Sequence, residues 1–158
     1  MTGDLCIRPA LPGDAALIHQ VHVASVREVC SAHYTPEEIK SWIGPRQPEH
    51  YRWSMTKGGD TTVVAEENGE IVGFGSLKND QIKGLYVAPG HLRRGIGRRL
   101  LDRLEGIARE RDTPRLRLAS SLTAVPFYAA HGYRVACHGQ QRFFTGGQVA
   151  CVFMDKAL

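Results

Sequence analysis

The chain has 158 residues, 42% of them hydrophobic and 23% charged. That balance excludes a disordered chain and, at this length, gives a single domain (1–158) enough buried surface for a core without staples. No segment approaches the run of about 20 apolar residues that a membrane helix needs, so no membrane partner is expected. Twenty Lys plus Arg against sixteen Asp plus Glu leave a net charge of +4.

From the N-terminus, Met1 to Asp14 shows no basic flank leading into an apolar stretch, so no export signal is expected. Leu5 to Arg8 reads as a first strand. Pro12-Gly13-Asp14 reads as a turn and N-cap before a helix whose apolar positions include Leu17, Ile18, Val21, Ala24 and Val29. His19 and His22 share a face of that helix at i and i+3. No carboxylate or Cys motif accompanies them, so they read as partly buried helix surface and no metal is expected. Thr35-Pro36-Glu37-Glu38 is a capping box with proline at N1, where its missing N–H costs nothing.

The period then changes. Thr61 to Glu66 and Glu70 to Lys78 are β-rich runs around Asn68-Gly69, a dipeptide suited to a type I′ hairpin turn. Ile82 to Val87 forms a further strand. A glycine-containing segment leads into a helix with Ile96, Leu100, Leu101, Leu104, Ile107 and Ala108 on one face. Arg115 to Ala119 alternates as a strand, Ala124 to Ala130 is a short helix ended by His131-Gly132, and Tyr133 to Cys137 and Val149 to Met154 are strands. The order β-α-α-β-β-β-α-β-α-β-β gives an α/β (α+β) fold: a mixed, mostly antiparallel central sheet flanked by helices. The four cysteines, Cys6, Cys30, Cys137 and Cys151, form no CxxC pair and suit a reducing cytoplasm.

Nine arginines fall between Arg93 and Arg117, which points to an anionic ligand, either a phosphorylated small molecule or nucleic acid. The segment Leu85 to Leu101 narrows the choice. A strand ends, Pro89-Gly90 turns the chain, and free backbone N–H groups gather where a helix begins, a place that suits a pyrophosphate. Gly95 and Gly97 let a phosphate approach the main chain closely. A Walker loop needs Gly-Lys followed by Ser or Thr, which is absent. The dinucleotide fingerprint needs Gly or Ala where Leu100 stands.

Arg94-Gly95-Ile96-Gly97, after the strand carrying Val87 and Pro89, resembles the acyl-CoA-binding motif of the GNAT superfamily of N-acyltransferases. Leu92 stands where Gln or Arg is usual there. Ser121 to Tyr133, with Ala124, Phe127-Tyr128 and Gly132-Tyr133, resembles the family's later motif, Ser121 taking a place often held by Asn. The two motifs span Ile82 to Val135 in the right order.

The resemblance implies a GNAT-like fold, acetyl-CoA as cosubstrate, and transfer of an acetyl group to an amine by direct attack on the thioester. It implies a main-chain N–H at Val87 facing the thioester oxygen and Tyr128 protonating the departing sulfur. Cofactor contacts follow at Leu85, Tyr86, Val87, Leu92, Arg93, Arg94, Gly95, Ile96, Gly97, Arg98, Ser121 and Phe127. Relatives often carry an acidic base on the strand before the loop, where Lys83 and Gly84 stand here. Asp80, His33, Tyr34 and Tyr51 are the alternatives, and none is singled out. Arg99, Arg103, Arg109 and Arg111 read as a solvated helix face, with Glu105 and Arg109 an i,i+4 surface pair. Tyr34, Trp42, Tyr51 and Trp53 either roof the acceptor site or fill the core. The acceptor is a small-molecule or peptide amine, and a homodimer is compatible with the family. The rival readings are a basic nucleic-acid-binding module, against which stands the absence of any reader motif, and a GNAT-fold protein that binds CoA without catalysis.

Overall fold

Hydrogen-bond pairing of the strands sets the architecture of this protein, whose computed structural model describes residues 4–158. Seven strands, β1 (Leu5–Pro9), β2 (Thr61–Glu67), β3 (Glu70–Lys78), β4 (Gln81–Val87), β5 (Arg115–Ser120), β6 (Arg134–Arg142) and β7 (Gln148–Ala157), form one sheet in the order β1-β2-β3-β4-β5-β7-β6. Every neighbouring pair is antiparallel except β4 with β5. Asn68 and Gly69 join β2 to β3 with φ of 53° and 78°, the two positive values that a type I′ turn demands.

Alternation along the strands divides the core between the two faces. Val63, Ala65 and Val72 point to the face covered by α4 (Ile96–Glu110), where they meet Leu100, Leu101 and Leu104. Val64 and Phe74 point to the other face, under α1 (Ala15–Glu28), with Ile18 and Tyr51. Two glycines set the spacing on the α4 side. A Cβ at Gly73 would lie 3.0 Å from Leu100, and one at Gly75 would lie 2.9 Å from Leu104. Their absence lets the helix settle onto the sheet.

The remaining helices are α2 (Pro36–Ile43), α3 (Pro48–Thr56) and α5 (Val125–Ala130). The capping box is present: Thr35 Oγ1 accepts from Glu38 N at 3.2 Å and Glu38 Oε1 from Thr35 N at 3.0 Å. Helix α3 adds an element between the second helix and the hairpin. It too starts with proline at N1, but only Tyr51 of its side chains is buried, so its apolar period is too weak to read. Asp14 does not cap α1. A short 3₁₀ turn over Pro12–Asp14 precedes the helix, and the Asp14 carboxylate accepts from Leu11 N and from Arg8 instead. Leu17, counted with the apolar face, is 43% exposed. The last two strands run well past the expected Tyr133–Cys137 and Val149–Met154 and form a long hairpin closed by Phe143–Gly147.

Glu105 and Arg109 are not a surface pair. Glu105 is 4% exposed and accepts from Tyr133 Oη at 2.9 Å and from Lys156 Nζ at 3.0 and 3.1 Å, with the Arg109 guanidinium 3.7 Å away. The carboxylate is thus a buried, paired charge that ties α4 to the C-terminal strands.

Candidate active site

Strands β4 and β5 pair only where the start of β4 meets the middle of β5, Gln81 against Arg117 and Ile82 against Leu118. Beyond that point they diverge. A register shift on the β3 side between Ser76 and Leu77 leaves Lys83 without an opposite residue. Ala88 N donates to Val72 O at 2.8 Å, so strand alternation turns the N–H of Tyr86 toward β3 as well. The N–H groups of Leu85 and Val87 therefore face the gap, where no ladder partner reaches them.

The chain leaving β4 makes a 3₁₀ turn at Pro89–His91 and enters α4 through Gly95. Arg93 and Gly95 both take left-handed backbone, with φ of 61° and 79°. A Cβ at Gly95 would meet nothing within 4 Å. Gly95 therefore serves backbone geometry and an open approach to the helix N-terminus. Gly97 serves packing: a Cβ there would sit 3.3 Å from the Phe127 ring, so α5 leans on the first turn of α4. Ile96 is buried and anchors that turn.

The side chains of the loop divide. Arg94 is committed: its guanidinium donates to both Glu67 carboxylate oxygens, at 3.1 and 2.7 Å, and lies 2.9 Å from His91 Nδ1. It ties the loop to β2 rather than standing free for a phosphate. Leu92 is 43% exposed. Arg93 is exposed and makes no ion pair among the described residues, and Arg98 is exposed with Asp102 only at 3.9 Å. The rest of the arginine-rich stretch is mostly paired. Arg103 meets Glu110, Arg115 meets Asp155, Arg117 meets Asp80, Arg99 donates to Leu5 O and Arg111 to Thr61.

Across the gap, Ser121 Oγ accepts from Ala124 N at 3.2 Å and caps the turn before α5. Tyr128 is 5% exposed, between the rings of Phe127 and Tyr133. Burial pushes its phenol well above the usual range, and its hydroxyl makes no hydrogen bond among the described residues.

On the opposite face of the sheet from α4, a cleft of about 700 Å³ opens beside the gap. Its walls come from α1, α3, strands β2 to β4 and the β6–β7 hairpin. Tyr86 reaches it from β4 and packs on His22, ring centroids 4.2 Å apart. His22 Nδ1 is 2.7 Å from Tyr51 Oη, and its buried Nε2 has no partner among the described residues. Burial keeps this imidazole neutral and pushes the Tyr51 phenol up to about 12, against the lowering effect of Arg46. Both tryptophans line the cleft, Trp42 as a core residue, 5% exposed and stacked on Phe143, and Trp53 58% exposed.

Among the residues considered as bases, Asp80 is held by Arg117 Nε at 3.1 and 3.2 Å and does not line the cleft. His33 bonds Thr123 Oγ1 at 2.8 Å. Tyr34 Oη is used twice, donating to Ala150 O and accepting from Leu122 N. The cleft does hold a carboxylate that the sequence did not single out. Asp60, at the entry to β2, is half-buried, and burial pushes its carboxyl above the usual range while Lys83 and Lys78 oppose the shift. In sequence it reads as a turn residue after Gly58-Gly59, and only the pairing of β2, β3 and β4 brings the lysines round it.

Residues 30–157 match the family described as the acetyltransferase (GNAT) domain. The uncharacterized N-acetyltransferase YafP of Escherichia coli K12 is 32% identical over 139 residues, 84% of this chain and 87% of that protein. A solved GCN5-related N-acetyltransferase from Rhodopseudomonas palustris superposes with a TM-score of 0.90 at 31% identity, covering 100% of this chain and 98% of its own. The PaiA N-acetyltransferase of Thermoplasma acidophilum, solved with coenzyme A, shares the fold at a TM-score of 0.83 and 22% identity over 98% and 99% of the two chains.

Proposed function

The chain belongs to the GNAT acetyltransferase family and is an acetyl-CoA-dependent N-acetyltransferase, and we propose that transfer takes place at the gap between β4 and β5. The observation that carries this reading is the divergence after Ile82, which leaves main-chain N–H groups unpaired beside an open helix N-terminus entered through Gly95. Acetyl-CoA, the cosubstrate, supplies an activated acyl carbon. The amine nitrogen bonds to that carbon and the carbon–sulfur bond breaks.

Each accompanying charge has a residue to meet it. The Val87 N–H donates to the acyl oxygen as negative charge builds there, a contribution of ~10²–10³ in rate for such donors. Tyr128, whose phenol burial keeps protonated, gives its proton to the leaving sulfur. Asp60 accepts the proton that the acceptor ammonium must lose before it attacks. The N–H groups at the start of α4 hold the pyrophosphate, with Arg93 and Arg98 free to add charge and Leu85, Tyr86, Leu92, Ser121 and Phe127 forming the walls. Arg94 acts one step back, by holding the loop in place. The acceptor is a small-molecule or peptide amine. A reducing cytoplasmic setting is consistent with four free cysteines, two of them exposed.

Ligand stabilisation tests the cosubstrate without knowledge of the acceptor. Acetyl-CoA at about 100 times its dissociation constant should add about 2.7 kcal/mol of stability, read as a higher thermal unfolding midpoint. NAD and ATP should leave the midpoint in place. An unchanged midpoint at saturating acetyl-CoA would overturn the assignment of the loop.

A further inference from the structure

The lining of the acceptor cleft has an unequal charge. Arg46, Lys78, Lys83 and Arg142 face a single carboxylate, Asp60, and the two histidines there, His22 and His50, add no acid. Lys78 and Lys83 are the groups that act on Asp60, which leaves the two arginines without an anion among the described residues.

Arg46 is the more informative. It lies in the link between α2 and α3, its guanidinium carbon 5.9 Å from the Tyr51 ring centroid and 5.4 Å from that of Phe144. Its Nε is buried and has no hydrogen-bond partner, and the residue takes part in no salt bridge among the described residues. The contrast within the chain is sharp, because Arg8, Arg94, Arg115 and Arg117 each hold a carboxylate at 3.1 Å or less. A guanidinium N–H withdrawn from water without an acceptor is costly. The rings of Tyr51 and Phe144 satisfy its charge in part, and the Tyr51 hydroxyl beside it is a neutral acceptor at most, which leaves Nε without one. The missing partner is an anion with oxygen acceptors, presented from the cleft.

We propose that the acceptor is a primary amine carrying an acidic group beside an apolar or aromatic body, an α-amino acid being its simplest form, and that Arg46 holds the acid. This rests on the acetyl-transfer reading above. The charges are arranged for it: the guanidinium takes the carboxylate, Tyr51, Trp53 and Phe144 offer apolar wall, and Asp60 remains for the amine. A polyamine would face an excess of like charge, and a peptide N-terminus lacks the adjacent carboxylate.

Phenylalanine, phenylalaninamide and spermidine separate the three acceptor classes. With saturating acetyl-CoA, thiol release should favour phenylalanine over its amide by about tenfold or more in kcat/KM, the factor expected when a charged hydrogen bond is lost. Spermidine should be the poorest of the three. Arg46→Gln should abolish the preference for phenylalanine over its amide through KM, while the acetyl-CoA unfolding shift stays as in the unaltered chain. Arg46→Lys, which keeps the charge but not the fork of donors, should restore part of it and serves if the glutamine variant does not fold. Equal use of acid and amide, preference for spermidine, no use of any of the three, or a preference that survives Arg46→Gln each overturns the proposal. Loss of the acetyl-CoA shift in the unaltered chain would instead sink the acetyl-transfer reading.

Discussion

Tyr128 and Asp60 are both shifted upward by burial, yet the proposed transfer needs them in opposite protonation states. A phenol pushed above the ordinary range stays an acid at neutral pH. Tyr128→Phe keeps the ring between Phe127 and Tyr133 and removes only the hydroxyl that carries the proton, so turnover should fall by about 10²–10⁴ while acetyl-CoA affinity is unchanged. Single-turnover kinetics beside equilibrium binding would decide it, and turnover equal to the unaltered enzyme would remove Tyr128 from the chemistry. For Asp60 the signs oppose each other usefully. Its folded pKa lies above the unfolded value of 3.8, so the ionised form destabilises the fold: the penalty is absent below 3.8, grows as pH rises to the folded pKa, and is full beyond it. Asp60→Asn should therefore hold or raise stability at neutral pH while lowering kcat/KM and flattening its acid limb. A variant that lost stability and kept its pH–rate profile would mark Asp60 as structural. Neither shift was legible from the sequence, where the resemblance pointed to Tyr128 and nothing pointed to Asp60, because burial is decided by residues far along the chain.

Among the elements, the loop before α4 owes its shape to two devices of different legibility. Gly95 was legible as a glycine where a phosphate nears the main chain, but its left-handed backbone, φ of 79°, came only with the structure. The clamp of Arg94 on Glu67 was not legible, because 27 residues separate the partners and the arginine reads equally as a phosphate ligand. Glu67→Gln halves that clamp without touching the cofactor path. It should weaken acetyl-CoA binding by several-fold, with kcat at saturation little changed, as measured by titration calorimetry beside steady-state kinetics; unaltered affinity would show that the loop holds itself. The capping box of α2 was readable residue by residue because every partner lies within three positions. Helix α3 was not, because its short apolar face rests on one buried tyrosine.

For the molecule as a whole, the strand order was the part that local patterns could not supply. The Asn68-Gly69 turn gave β2 beside β3, and residue pattern gave β4 as a strand without its neighbours, but the insertion of β7 between β5 and β6 depends on pairings across 40 residues, such as Arg115 with Asp155. Long-range ion pairs likewise hold β1 at the sheet edge, where Arg8 bridges Asp14 and Glu66. The Arg8 guanidinium holds the Asp14 carboxyl below the unfolded value of 3.8. Its stabilising effect is full above 3.8 and is lost as pH falls through the folded pKa. Asp14→Asn should cost about 1 kcal/mol at pH 7, screened by partial exposure, and the cost should vanish in strong acid. Urea unfolding at two pH values reads both, and a pH-independent cost would trace the loss to packing.

The two tryptophans differ in a way that makes the enzyme its own optical instrument. Both line the cleft, but Trp42 is 5% exposed and stacked on Phe143, while Trp53 stands 58% exposed. In a Trp42→Phe chain the fluorescence comes from Trp53 alone, and an acceptor that displaces water from the indole should move its emission to shorter wavelength. Occupancy of the cleft then becomes visible in real time, before any acetyl group has moved.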